Sequence, residues 1–324
     1  MKKYLFAGAA IVALAAALTY TSWGARTEAT PSDGRPKVIA TIFPPYDFAR
    51  AIGGDRVNLS MLLKPGMESH SYSPSPQDII DIQNCDLFVC IGGENDRWAE
   101  KIIDSLDGEK RPRVLKLIGC VSPVEEEHVE GMQEEEGHDA DAGEDHAHEG
   151  EYDEHIWTSP RNAAKMAAAV RDGLILVDRK NRPFYEKNAE MYIEELEKLD
   201  GDFRSAVGGR HRRLVFGDRF PFRYLADEYG LAYSAAFPGC AAESEANAAT
   251  VAYLIDKVKT EKIPVVFHIE MSNEKTADAI CQETGARKRL LHSCHNLSRA
   301  DFEARATYIS LMRKNLEGLK EALY

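Results

Sequence analysis

Histidines recur in this chain where a short apolar run ends or a helix-like stretch is about to begin. His70 stands in KPGMESHSYSPSPQD and His155 in DEHIWTSPRN, while His292 and His295 share LLHSCHNLS; His268 in VVFHIE has Glu270 two residues on. Neutral imidazole is a good ligand for zinc and neighbouring ions. A lone loop histidine is more often a packed or exposed residue, but several at strand-to-helix junctions make metal ligation the leading chemistry. His211 lies among arginines and is the weakest candidate. No HExxH helix, GxSxG elbow or phosphate-cradling glycine loop is present, so the common catalytic templates are missing.

The second signal is compositional. Residues 125–154 hold fifteen Asp or Glu and four histidines (His128, His138, His146, His148), with no Lys or Arg. With so little apolar content, a disordered loop over 124–153 is expected, offering many weak, exchangeable sites for borderline cations. Removing 125–152 is expected to leave any tight site elsewhere intact. The whole chain carries a formal −13, of which this segment supplies −15, so everything else nets +2. A nearly neutral body speaks against a nucleic-acid-binding face.

Elements that could position these residues alternate in type. Strand-like runs start near Val38, at NLSMLL, DLFVCIGG and PRVLKLIG, and again at RRLVFG, LAYSAAF, IPVVFHIE and RKRLLHS. Helical patterns fall between them, including SPSPQDIIDIQ with Ser75 as N-cap, and a long one over FYEKNAEMYIEELEKLDGDFRSAV. A Pro-Pro turn is expected at Pro44-Pro45 between the first strand and its helix. The rhythm implies two α/β lobes with parallel sheets, and in such sheets ligands sit at the carboxyl ends of the strands.

Lys2 and Lys3 precede an uncharged apolar run from Tyr4 to Trp23. This is the pattern of a secretory signal, and the run is also long enough for an uncleaved membrane anchor. A protein working outside the cytoplasmic membrane is expected, with residues 1–29 as leader or anchor. The first cysteine is Cys85, so an N-terminal lipid-modified cysteine is not expected. Six cysteines in an exported chain can pair, and one bridge in the C-terminal half is expected, with Cys85 and Cys90 as buried thiols.

The strings ATIFPPYDFARAIGGD, LLKPGMESHSYSPSPQDI, DEHIWTSPRNAAKMA, FYEKNAEMYIEELEKLD and YLADEYGL resemble the zinc and manganese solute-binding proteins of ABC importers. The resemblance runs from about Pro36 to the C-terminus. It implies a four-stranded parallel sheet in each lobe: an N-terminal lobe over 36–180, a rigid linking helix over 181–207 and a C-terminal lobe over 208–324. It further implies one metal ion in the cleft, handed to a membrane permease. Carried over, the first two ligands fall on His70 and His155. The third ligand, His or Glu in the family, has no counterpart histidine in VFGDRFPFRYLADEYGL, and Asp218 is the nearest carboxylate. The fourth falls in HSCHN, on His295 ahead of His292. A set of His70, His155, Asp218 and His295 is an N3O site that suits zinc above the more oxygen-loving manganese.

A zinc-binding monomer that is not an enzyme and has no nucleic-acid partner is therefore expected. Three alternatives stand beside it. One is a manganese-specific protein of the same type. Another is an exported metallohydrolase using Glu270 or Asp218 as general base. The third is a surface adhesin or metal buffer whose function lies in the acidic segment.

Overall fold

The computed structural model describes residues 34–68, 72–106, 111–133, 152–241 and 245–324. Its contacts divide the chain into Met1–Arg35 and Pro36–Tyr324, and the second unit carries everything below. The apolar run Tyr4–Trp23 and the leader expected over 1–29 lie outside the described residues, as do His70, His138, His146 and His148.

In the first half, β1 (Lys37–Ala40), β2 (Asn58–Met61), β3 (Leu87–Cys90) and β4 (Arg113–Lys116) form a parallel sheet in the order β2-β1-β3-β4. The second half repeats that order with β5 (Leu214–Phe220), β6 (Tyr233–Pro238), β7 (Val265–His268) and β8 (Arg287–Leu290), arranged β6-β5-β7-β8. Every residue of β3 and β5 is buried, as parallel strands covered on both faces require. In each sheet the connections run one way from its first strand and the other way towards its third. The crevice of each sheet therefore opens past β1 and β3, and past β5 and β7.

Local chemistry sets the helix starts that face this crevice. The helix α1 (Phe43–Gly53) carries Pro44 and Pro45 in its first turn, where a missing N–H costs nothing. The expected Pro-Pro turn is thus the opening of a helix. Ser75 caps α2 (Pro76–Gln83) in a reciprocal capping box with Asp78. Beyond α3 (Arg97–Asp104), Ser159 caps α4 (Pro160–Val177), fixing the chain just past His155. The long α5 (Arg182–Val207) has 26 residues, about 39 Å of rod at the usual helical rise. It is followed by α6 (Arg223–Tyr229), α7 (Ala248–Glu261), α8 (Lys275–Thr284), α9 (Arg299–Glu303) and α10 (Tyr308–Leu323).

One apolar cluster runs through both halves, joining Val38 and Phe48 to Phe203 on α5, Phe216 and Phe267 of the second sheet, and Leu316 on α10. Beside it lies a buried carboxylate. Asp47 pairs with Arg50 at 2.7 Å through Oδ1, while Oδ2 accepts from Tyr192 Oη at 3.3 Å and the Tyr308 amide at 2.9 Å. One side chain thereby ties α1, α5 and α10 together.

Two expectations need correction. All six cysteines are free, so no bridge forms in the C-terminal half. Nor is the acidic segment without structure at its root. The Val124 amide donates to Tyr224 Oη, Glu126 accepts from the Cys240 amide at 2.7 Å, and Glu127 meets Tyr233 and Arg223. Glu130 accepts from Tyr253, and Gln133 bonds to the Ala236 carbonyl and the Asn247 amide. Residues 124–133 thus form a strap along the edge strand β6, and Tyr152 returns to bridge Glu125. The rest of the segment, 134–151, lies outside the described residues.

Candidate metal centre

His155 is fully buried at the point where the strap re-enters the first lobe. Its backbone N–H and its Nδ1 both address Asp153 Oδ1, at 2.7 and 3.0 Å. That pairing fixes the ring through Nδ1, an arrangement that histidines serving a metal through Nε2 commonly use. Burial by itself lowers the His155 pKa, but Asp153, Glu154 and Glu126 outweigh it and hold the imidazole above its ordinary value. Neighbouring Glu154 is pushed up to about 7 by burial, against the Asn95 donors that favour its ionised form. On the far side, Gly239 comes so close that an added Cβ would lie 3.2 Å from the His155 ring.

His295 arrives from the loop after β8. Its ring stands edge-on to His155, with centroids 5.3 Å apart, and to Trp157 at 5.0 Å. Trp157 is itself held by its Nε1–H to the Ser293 carbonyl at 2.7 Å, so the aromatic wall and the His295 loop brace each other. Glu270, just past β7, completes the cluster. Its carboxylate accepts from the Ser293 amide at 2.7 Å, Ser293 Oγ at 2.6 Å and the His295 amide at 3.2 Å. Three donors preorganise this acidic group against the His295 loop. Met67, Glu68, His155, Arg219, Glu270 and His295 line a common cavity of about 20 Å³, room for one ion or water.

Among the described candidates, the structure brings His155 and His295 together with Glu270 and leaves Asp218, His292, His268 and His211 out of the cavity lining. Asp218 is turned elsewhere: Oδ2 accepts from the Ile269 amide at 3.1 Å, Oδ1 from the Arg219 amide at 2.8 Å, and Ser272 adds a further bond. The cause is a register shift in β5 between Phe216 and Arg219. A bulge of this kind re-aims the side chains that follow it. Gly217 faces the α8 backbone, where a Cβ would clash with Ala277 at 2.5 Å, and Arg219 is the residue sent into the cleft. His292 accepts from the Cys294 amide on Nδ1 at 2.9 Å, shares two backbone bonds with Asn315, and stands behind Glu270 with Nδ1 3.4 Å from Oε1. His268 turns to the Ile269 carbonyl at 3.1 Å, and His211 is exposed.

Sequence reasoning passed over Glu270 as a ligand, treating it only as a possible general base; its place at the end of a buried strand was the available signal. It missed Arg219 altogether. Among the described residues no three donors already converge as a metal sphere, and position 70 lies outside them. The segment leading to it is nevertheless pinned beside His295. Asn296 Nδ2 donates to the Lys64 and Met67 carbonyls at 2.8 and 2.9 Å, and the Gly66 amide donates to the Leu297 carbonyl at 2.7 Å.

A sequence model of the family described as zinc-uptake complex component A, periplasmic, matches residues 38–322. The zinc-binding lipoprotein AdcA of Streptococcus pneumoniae is 33% identical over 290 residues, covering 90% of this chain and 56% of that protein. The chain therefore spans little more than half the length of that relative. The high-affinity zinc uptake system protein ZnuA of Bacillus subtilis is 30% identical over 286 residues, covering 88% of this chain and 87% of that protein. Among solved structures, the Zn(II)-bound ZnuA-like domain of S. pneumoniae AdcA superposes with a TM-score of 0.71 at 29% identity, covering 90% of this chain and 99% of that domain.

Proposed function

Since the chain belongs to the family of periplasmic zinc-uptake component A proteins, we propose that it binds a single zinc ion outside the cytoplasmic membrane and delivers it to the permease of an ABC importer. The observation that carries this reading is the meeting of His155 and His295 edge to face at 5.3 Å, with Glu270 held beside them in a cavity sized for one ion.

The ligand set we put forward is His155, His295 and Glu270, with His70 as the fourth donor. Glu270 takes the place that the sequence suggested for Asp218. Three imidazoles and one carboxylate give a tetrahedral N3O sphere, which zinc accepts without strain. Asp153 fixes the tautomer of His155, and Ser293 orients Glu270, so the described ligands need little ordering when the ion arrives. A sphere filled by four protein donors leaves no open position for a reactive water, which sets this reading apart from a hydrolase. The protein acts as a monomer with no nucleic-acid partner. Weak carboxylate and imidazole sites in 134–151 supply ions to the cleft and are not needed for tight binding.

The test is a titration of the unit from Pro36 onward, with 134–151 replaced by a glycine-serine linker, against zinc and manganese in the presence of a competing chelator. One tight zinc site with weaker manganese binding supports the proposal. Absence of a tight site, or tighter manganese binding, refutes it.

A further inference from the structure

The cavity has a second carboxylate that the proposed ligands do not include. Glu68 lines it together with His155, Glu270 and His295. It is gripped from the opposite lobe by Arg219: Nη1 lies 3.4 Å from Oε1 and Nη2 3.3 Å from Oε2, a two-pronged contact between both guanidinium nitrogens and both carboxylate oxygens. The Arg219 side chain is only 8% exposed, and its remaining bond is to the Ala241 carbonyl at 3.3 Å. The β5 bulge, held by Asp218, is what points it there.

A buried guanidinium is an odd lining for a cleft that takes up a divalent cation. It cannot ligate, and its charge opposes the ion. Besides its bond to the Ala241 carbonyl, what it does in the cleft is occupy Glu68. We propose that Arg219 determines metal choice by withholding the Glu68 carboxylate from the ion, a step beyond the zinc-binding reading and resting on it. With Glu68 engaged, the cleft offers mainly imidazole nitrogen and a single oxygen-donor residue, which suits zinc. With Glu68 released, a second carboxylate enters the sphere, and harder, oxygen-preferring ions such as manganese gain.

The experiment measures zinc and manganese affinities of the Pro36–Tyr324 unit by chelator competition, for wild type, Arg219→Met, Arg219→Lys and the Arg219→Met/Glu68→Gln double variant. Arg219→Met is expected to bind manganese at least about tenfold more tightly, the scale on which partners of metal ligands act. Its zinc affinity changes far less. The gain vanishes in the double variant, and Arg219→Lys, which keeps a cation against Glu68, stays closer to the wild-type ratio. A purely structural role for Arg219 would lower both affinities together. Unchanged or weaker manganese binding in Arg219→Met overturns the proposal, as does a gain that survives in the double variant. A wild type without a tight zinc site overturns the underlying reading and this inference with it. Should Arg219→Met not fold, Glu68→Gln alone decides: leaving the guanidinium uncompensated in the cleft must weaken zinc binding, and an unchanged zinc affinity refutes the idea.

Discussion

Glu126→Ala separates the strap at the root of the acidic segment from the residues that follow it. In the native chain Glu126 Oε1 receives the Cys240 amide at 2.7 Å, and burial raises its pKa, so the carboxylate is committed to this bond in a poorly hydrated place. Truncation strands the amide of Cys240. A lost bond to a charged acceptor costs about 1.5–3 kcal/mol. For a body of this size each kcal/mol moves the melting temperature by roughly 2–4 °C, so the apo protein should melt about 3–12 °C lower. Cys240 follows Gly239, whose backbone abuts the His155 ring, so the loss also reaches the metal site. A fall of about tenfold in zinc affinity is expected, as for other residues that orient a ligand. Replacing 134–151 by a linker touches none of these bonds and should leave both numbers unchanged, whereas removing 125–152 should reproduce the Glu126→Ala defect. Calorimetric melting of the apo protein and competitive zinc titration read the two quantities. The reasoning fails if Glu126→Ala melts and binds like wild type, or if the linker variant is equally damaged.

His295→Ala should weaken zinc binding by several kcal/mol, while His292→Ala, which keeps its backbone bonds to Asn315 and loses the Nδ1 acceptor of the Cys294 amide, should mainly lower the melting temperature; comparable zinc losses in both would contradict the assignment. Gly239→Ala, which forces a methyl against the His155 ring and the Phe220 carbonyl, should reduce zinc affinity with the fold retained, and a wild-type titration curve would refute the close approach. Because the folded-state pKa of His155 is raised, protons compete with the metal from a higher pH than for an ordinary histidine. Zinc affinity is therefore full above that value and falls as pH drops through it. The apo protein shows the opposite trend, since the protonated ring adds stability below about pH 6.5 that fades as pH rises through the folded pKa. Tight zinc binding at pH 5 in a chelator titration would refute histidine ligation.

Much of this architecture is legible in the sequence because β/α alternation, capping residues and buried strands are local signals. Ser75, Ser159 and the apolar runs of β3 and β7 each announce their roles within a few residues. That Arg219 and not Asp218 lines the cavity is not legible because a bulge is not local in that sense: the register shift in β5 is set by its pairing with β6, and one added residue changes which side chain enters the cleft. The root of the acidic segment was misjudged from composition alone. Its carboxylates meet Arg223, Tyr233 and Tyr253, about a hundred residues away, while Val129 and Met132 pack on the core. The cysteines stay unpaired for a similar reason. Cys85 and Cys90 sit in one apolar cluster, Cys294 in another, and Cys281 against a third.

Asp47 has a mechanical consequence for the two lobes. A carboxylate that rivets α1, α5 and α10 at the seam of a shared core gives the two lobes no free hinge. A wide swing would have to open apolar packing and expose a buried charge, so loading must be confined to loops at the mouth of the cleft. If the proposed delivery to a permease holds, the permease must recognise a change in charge at the cleft and not a movement of the two lobes.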